Sequence, residues 1–206
     1  MSTRLPMFPL GLVMVPHLVV PLHIFETRYR VLMFDCTHGE DHPEFGVVLI
    51  ERGSEVGGND QRFDVGTAAR ILQAGRLEDG RWVLMTVGEQ RLRVRRWLPD
   101  DPYPRAEVEP LSDRADSDSA AALPGLVADL ERLLALRAQL GEPVPGIEVA
   151  LPDDPVHASF EACALAGLGP FDGQRLLELD DAGQRLRELS ALVRDEVAVL
   201  EFRLGG

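Results

Sequence analysis

Four prolines set into one apolar run constrain this chain more than any other feature. Within Leu5–Arg30, LPMFPLGLVMVPHLVVPLHIFETRYR, prolines stand at positions 6, 9, 16 and 21. Proline has no N–H to give to a ladder and clashes inside a helix, so this repetition suits short edge strands and loops rather than a helix or a central strand. The residue before each proline is pushed toward extended geometry. The run therefore predicts two short extended pieces, around Leu5–Leu10 and Leu18–Ile24. They lead into a helix over Phe25–Thr37, where Ile24, Tyr29, Leu32 and Met33 fall at helical spacing.

Strand signals continue to residue 111. Phe45–Glu51 is a short buried strand, and the glycine-rich stretch 52–62 is a loop. Asp64–Leu77, Arg81–Val87, Gln90–Leu98 and Pro104–Leu111 then read as a meander. Asp79-Gly80 is a two-residue hairpin signal, and Gly88-Glu89 puts glycine first, as a type II′ turn prefers. A two-residue turn at Gly88-Glu89 pairs Val83 with Val94 and Met85 with Leu92, and sets Trp82 opposite Arg95. Matching charged faces in the next hairpin brings Glu107 and Glu109 near Arg95 and Arg93, and places Trp97 opposite Arg105. The stripe Arg91, Arg93, Arg95 is then largely neutralised by its neighbour strand.

Beyond residue 118 the periodicity becomes helical. Ala120–Leu140, Val156–Gly167, Asp172–Leu179 and Asp181–Leu204 read as helices, with Gly141–Pro155 as a connector. The last carries a seam of Leu186, Leu189, Val193, Val197, Leu200 and Leu204, and Asp181 with Gln184 resembles a capping box. The fold class expected is α+β: a strand-rich part over 1–111 with one helix, a hinge over 112–122, and a helical part over 123–206.

The chain holds no lysine: all 21 basic residues are arginine, against 34 acidic ones, for a net charge of −13. A Walker A loop needs its lysine to reach the terminal phosphates, and a serine–lysine pair needs one as base, so neither chemistry is open to these residues. No G-x-S-x-G or H-E-x-x-H motif is present. The residual metal candidate is Cys36, His38 and His42, with Glu40 or Asp41 nearby. Its ligand types suit zinc, but the C-x-H-x₃-H spacing lacks a distant second pair. His17, His23 and His157 show no triad partner, and the acidic pairs Asp100-Asp101, Asp153-Asp154 and Asp180-Asp181 sit where caps and turns explain them. We therefore expect no catalytic residue and no cofactor. The acidity argues against nucleic-acid and membrane-surface binding. No signal-peptide or bilayer-spanning pattern is seen, and Cys36 and Cys163 follow no disulfide spacing, so a soluble, cytoplasmic protein is expected.

The proline run, then FGVVLIERG, DVGTAARI, DGRWVLMTVGEQRLRV and PYPRAEVEPL, resembles the N-terminal substrate-binding domain of Lon proteases in order and spacing. GPFDGQRLLELDDAGQRLREL is similar to that domain's later helical part. The resemblance implies a PUA-like β-barrel with one helix followed by a helical subdomain, as a stand-alone, non-catalytic protein- or peptide-binding module. The partners implied are unfolded or tagged polypeptides and a separate protease. Two routes of binding are open: strand addition at a barrel edge, or an apolar groove between barrel and helices. The surface candidates are Trp82, Arg95, Glu107 and Trp97, since aromatic–arginine pairs favour recognition. Alternatives are an RNA-binding PUA-like protein, or a small-ligand sensor using the barrel–bundle cleft.

Overall fold

The computed structural model describes residues 3–39, 44–53, 55, 60–115 and 119–205. The chain is a mixed α+β protein that divides into two compact units, residues 1–112 and 113–206. The first holds β1 (Thr3–Leu10), β2 (Val19–Ile24), α1 (Thr27–His38), β3 (Glu44–Arg52), β4 (Gln61–Arg76), β5 (Trp82–Leu98) and β6 (Arg105–Pro110).

These strands form one sheet in the order β2-β5-β4-β3-β1-β6, and β6 also pairs with β5. Five strands thus form a ring of pairings, with β2 attached to β5 outside it. The pair β1–β3 is parallel, as the intervening β2 and α1 allow. Each half of β1 has its own partner: Thr3–Pro6 pair with β6 and Met7–Leu10 with β3. One core cluster packs Tyr29, Leu32 and Met33 of α1 against Phe8, Ile24, Phe45, Trp82 and Leu84 of the sheet. A second gathers Leu5, Met7, Val48, Leu92, Val94, Ala106 and Val108. Each Val, Leu, Ile, Phe or Met among them stabilises the fold by about 1.5–3 kcal/mol on burial.

The expected hairpin at Gly88-Glu89 is not formed: β5 runs unbroken through it. Gly88 serves a different need. A Cβ there would collide with the Val15 carbonyl oxygen, because the loop into β2 crosses β5 at this point. His17 N–H donates to Gly88 O and Gly88 N–H donates to Leu18 O, at 2.8 and 3.0 Å. Glu89 is the extra residue of a bulge, since Ala68 pairs with Gln90 and Ala69 with Gly88. With no turn there, the register expected across it is replaced: Trp82 pairs with Ile24 and Arg76, not with Arg95. At Asp79-Gly80 the chain does turn, with Gly80 at φ +80°. The Leu77 N–H to Arg81 O bond makes that loop three residues long rather than two.

The second unit has a short 3-10 turn (Ser119–Ala122) and helices α2 (Leu123–Gln139), α3 (Pro155–Ala166), α4 (Pro170–Glu178) and α5 (Ala182–Gly205). Asp154 and Asp181 cap α3 and α5: their carboxylates accept from His157 N–H at 2.8 Å and Gln184 N–H at 2.7 Å. Only half of the expected capping box is present at α5, because the Gln184 amide goes forward to Glu188. Leu126, Leu130, Leu133 and Leu136 of α2 meet Leu186, Leu189, Val193 and Leu200 of α5 in one cluster. The expected seam ends there, and Leu204 is exposed. Fully buried Arg185 ties this unit together. It donates to Leu176 O at 3.1 Å, Ser159 Oγ at 2.7 Å, Asp113 Oδ1 at 2.6 Å and Leu179 O, and lies 3.9 Å above the Phe160 ring.

Candidate functional site

The four surface candidates do not converge. Trp82 is 6% exposed and belongs to the core beside α1, so it offers nothing to a partner. Arg95 pairs with Glu109 at 2.5 Å, while Glu107 is taken by Arg96 at 2.7 Å and Arg4 at 3.7 Å. The cause is a bulge between Val94 and Arg96, which makes Arg95 the unpaired step and turns the following residues over. For the same reason Trp97 pairs with Ala106, and Leu98 takes Arg105. Arg91 is not part of a surface stripe; it is fully buried, and its guanidinium donates to Ser112 O at 3.2 Å.

Of the metal candidate, only Cys36 and His38 fall among the described residues. Cys36 Sγ lies 3.6 Å from Glu44 O, and burial, with Asp35 and Glu44 adding to it, pushes its pKa up to about 12, so it stays a thiol. The His38 ring stacks on Phe34 at 4.2 Å, with Nδ1 3.1 Å from Phe34 O. His42, Glu40 and Asp41 lie outside the described residues. Among the described residues, no group of three or more His, Cys, Asp or Glu side chains is placed to hold a metal ion. None of the described helices is long and apolar enough to cross a membrane.

A candidate site is an apolar groove beside β2, of about 180 Å³, walled by Phe8, Leu10, Leu12, Pro21, Phe25 and Tyr29. The proline run builds it. Pro21 holds β2 extended, and the chain leaving β1 passes Gly11 and Leu12 along the opposite rim. Phe25 is 57% exposed and Leu12 38%, so two large apolar side chains stand open at the mouth. Phe8 meets Tyr29 edge-on with ring centroids 4.5 Å apart. Burial, only partly offset by Arg28, raises the Tyr29 pKa to about 12, so the phenol keeps its proton. The polar rim is tied down. Arg28 donates to Glu26 Oε2 and Glu55 O, both at 3.2 Å, and its guanidinium lies 4.4 Å from the Tyr29 ring centre; Gly11 N–H donates to Glu55 Oε1 at 2.5 Å.

The β2 edge that borders this groove is blunted. Gly88 N–H bonds Leu18 O, so by antiparallel alternation Leu18, Val20, Leu22 and Ile24 face β5. Val19, Pro21 and His23 turn their backbone outward, and Pro21 has no donor to offer there. Leu12 and Phe25 escaped the sequence reading because a single apolar residue within an apolar run looks the same whether covered or open. The one available signal was Phe25 at the helix entry, off the Tyr29–Leu32–Met33 stripe.

These features define a two-unit α+β protein whose candidate site is an apolar groove rather than a set of reacting groups. Comparison places it more narrowly. The chain belongs to the family of the ATP-dependent protease La (LON) substrate-binding domain, whose model matches residues 4–195. It is similar to Lon protease 2 of Herpetosiphon aurantiacus, with 29% identity over 209 residues, covering 98% of this chain and 25% of that protein. Lon protease of Escherichia coli strain K12 is 25% identical over 203 residues, covering 96% of this chain and 25% of its own length. The chain thus spans about a quarter of the length of these curated relatives. Among solved structures, the Lon N-terminal domain protein from Xanthomonas campestris superposes with a TM-score of 0.65 at 27% identity, over 92% of this chain and 98% of that one. The N terminal domain of Mycobacterium avium complex Lon protease shares the fold, with a TM-score of 0.63 at 21% identity, over 95% of this chain and 98% of that one.

Proposed function

We propose that this chain is a non-catalytic polypeptide-binding module that takes unfolded segments at the groove beside β2. The observation that carries this reading is the open apolar mouth formed by Leu12 and Phe25 over Phe8 and Tyr29, within a Lon substrate-binding family member. An unfolded chain exposes apolar side chains that a folded one hides, so a groove that accepts one or two of them selects for unfolding. Side-chain insertion is favoured over strand addition, because Pro21 removes the central donor of the outer β2 edge. A protease is the partner that such a module would serve. The ring of five strand pairings supports reading the first unit as the family's PUA-like barrel, and the α2–α5 cluster supports reading the second as a bundle. An RNA-binding role loses ground to the pairing of Arg95 with Glu109 and of Arg96 with Glu107.

The test is fluorescence anisotropy with a labelled, permanently unfolded polypeptide, comparing wild type with Leu12→Ser/Phe25→Ser. Losing two inserted apolar contacts is expected to weaken binding by about tenfold or more. Equal affinity in the two proteins would sink the assignment of the groove.

A further inference from the structure

We infer that Glu55 is a latch across the mouth of the groove, displaced when a polypeptide enters, and that the Gly11 N–H it vacates then anchors the polypeptide's main chain; this rests on the polypeptide-binding reading and deepens it. Glu55 stands between β3 and β4 and itself lines the groove. Its carboxylate accepts from Gly11 N–H at 2.5 Å, on the rim that carries Leu12. Its carbonyl accepts from the Arg28 guanidinium at 3.2 Å, on the α1 side. A single residue, 44 and 27 positions away from its two partners, thus joins both walls at the opening.

The latch is shallow. Both of its bonds are exposed, and an exposed hydrogen bond only exchanges water for protein, so its net strength is small. Arg28, the cation beside it, pairs with the Glu26 carboxylate and meets Glu55 at the carbonyl. The α1 wall, by contrast, is fixed. Arg28 and Glu26 each keep 18% of their side chains exposed, and the guanidinium lies over the Tyr29 ring. Opening therefore moves Glu55 and leaves that wall of the groove in place.

Gly11 is the half of the contact that a ligand can use. A Cβ at this position would meet the Glu55 carboxylate oxygen at 3.0 Å and the carbon bearing it at 3.9 Å; apart from chain neighbours, no other described residue comes within 4 Å of it. Moving Glu55 away thus uncovers a backbone donor with open space above it, beside Leu12 at the mouth. Glycine keeps that approach clear for a main chain, which a side chain would crowd. An unfolded chain has a carbonyl acceptor at every residue, and a carbonyl can take the place of the carboxylate there. The contact asks for no particular side chain, while the apolar residue next to it enters between Leu12 and Phe25.

The test is stopped-flow anisotropy with a labelled, permanently unfolded polypeptide that carries no charged residue, mixed with wild type, Glu55→Ala and Glu55→Gln. A latch held by one hydrogen bond of ordinary net strength is shut about five times as often as open, and apparent affinity falls with the open fraction. Glu55→Ala should therefore associate about fivefold faster, with an unchanged dissociation rate that also reports an intact groove. Glu55→Gln should fall between, because its amide oxygen still accepts from Gly11. In Glu55→Ala, the Gly11 amide should exchange more slowly with the polypeptide bound than without it. Association no faster in Glu55→Ala, equal gains in the two variants, or a Gly11 amide left unprotected overturns this inference and leaves the groove standing. Failure of the polypeptide to bind any of the three proteins overturns the polypeptide reading itself.

Discussion

Arg185→Met removes the charge at the centre of the second unit while keeping most of the side chain's volume. In the native chain that guanidinium satisfies the carbonyls of Leu176 and Leu179, the Ser159 hydroxyl and the Asp113 carboxylate, and covers the Phe160 ring. Methionine satisfies none of them. Asp113 keeps 15% of its side chain exposed and can recruit water, but the Arg185 side chain is wholly enclosed, so the other acceptors are left in a dry site. Breaking a buried ion pair by removing one partner costs about 3–5 kcal/mol. For a chain of this length each kcal/mol shifts the melting point by about 2–4 °C, so a fall of roughly 6–20 °C is expected. Thermal melts followed by circular dichroism measure it. Arg185→Lys should recover only part, because an ammonium cannot span four acceptors in the fork geometry of a guanidinium. A double-mutant cycle with Asp113→Asn should return a coupling of about 1.5–3 kcal/mol, the range for a hydrogen bond to a charged group. If Arg185→Met melts within about 2 °C of wild type, the reasoning that this network holds the helices together is wrong.

Three further outcomes follow from particular contacts. Asp60 grips Arg62 through both oxygens; burial opposes its charge, yet the hydrogen bonds from Arg62 and from backbone outweigh it and hold its carboxyl below the usual range. Asp60→Asn should destabilise the chain by about 1–3 kcal/mol at pH 7. Because the folded carboxyl titrates below its ordinary range, the contribution is complete above about pH 4 and is lost as pH falls through the lowered value; urea melts of variant and wild type should therefore converge in acid. Cys36, raised to about 12, should be alkylated by iodoacetamide at pH 8 at least about a hundredfold more slowly in the native chain than in urea, as read by mass spectrometry of its peptide. Rapid native labelling would contradict the buried thiol. Pro21→Val restores a donor to the outer edge of β2 and should promote concentration-dependent association in light scattering, whereas scattering unchanged from wild type would show that the edge is protected by something other than proline.

The sequence made local structure legible wherever one residue type has one local meaning. Prolines 6, 9, 16 and 21 announced the short strands β1 and β2, and the Leu126–Leu130–Leu133 and Leu186–Leu189–Val193 spacings announced α2 and α5. Gly88 was misleading because a glycine demanded by a crossing backbone looks the same in sequence as a glycine demanded by a turn. That single ambiguity displaced Trp82 from core to surface. A bulge at Arg95 then moved Arg95 from the expected Glu107 to Glu109 and gave Glu107 to Arg96, while Arg93 kept Glu109 as its register partner. Such insertions depend on how three partners crowd one strand, a tertiary fact with no local mark. The candidate site suffers most from this. The groove walls, from Phe8 to Tyr29, all lie within the proline run, yet only the pairing of β2 with β5 and the packing of α1 on the sheet bring the end of β1, β2 and α1 around one opening.

Amide hydrogen exchange, with and without an excess of a permanently unfolded polypeptide, tests the central claim most directly because it locates the contact without presupposing it. The account predicts slowed exchange confined to the groove walls, at residues 10–12 and 22–29. Protection confined to the helices of the second unit, or no protection at a concentration where binding is saturated, would contradict it.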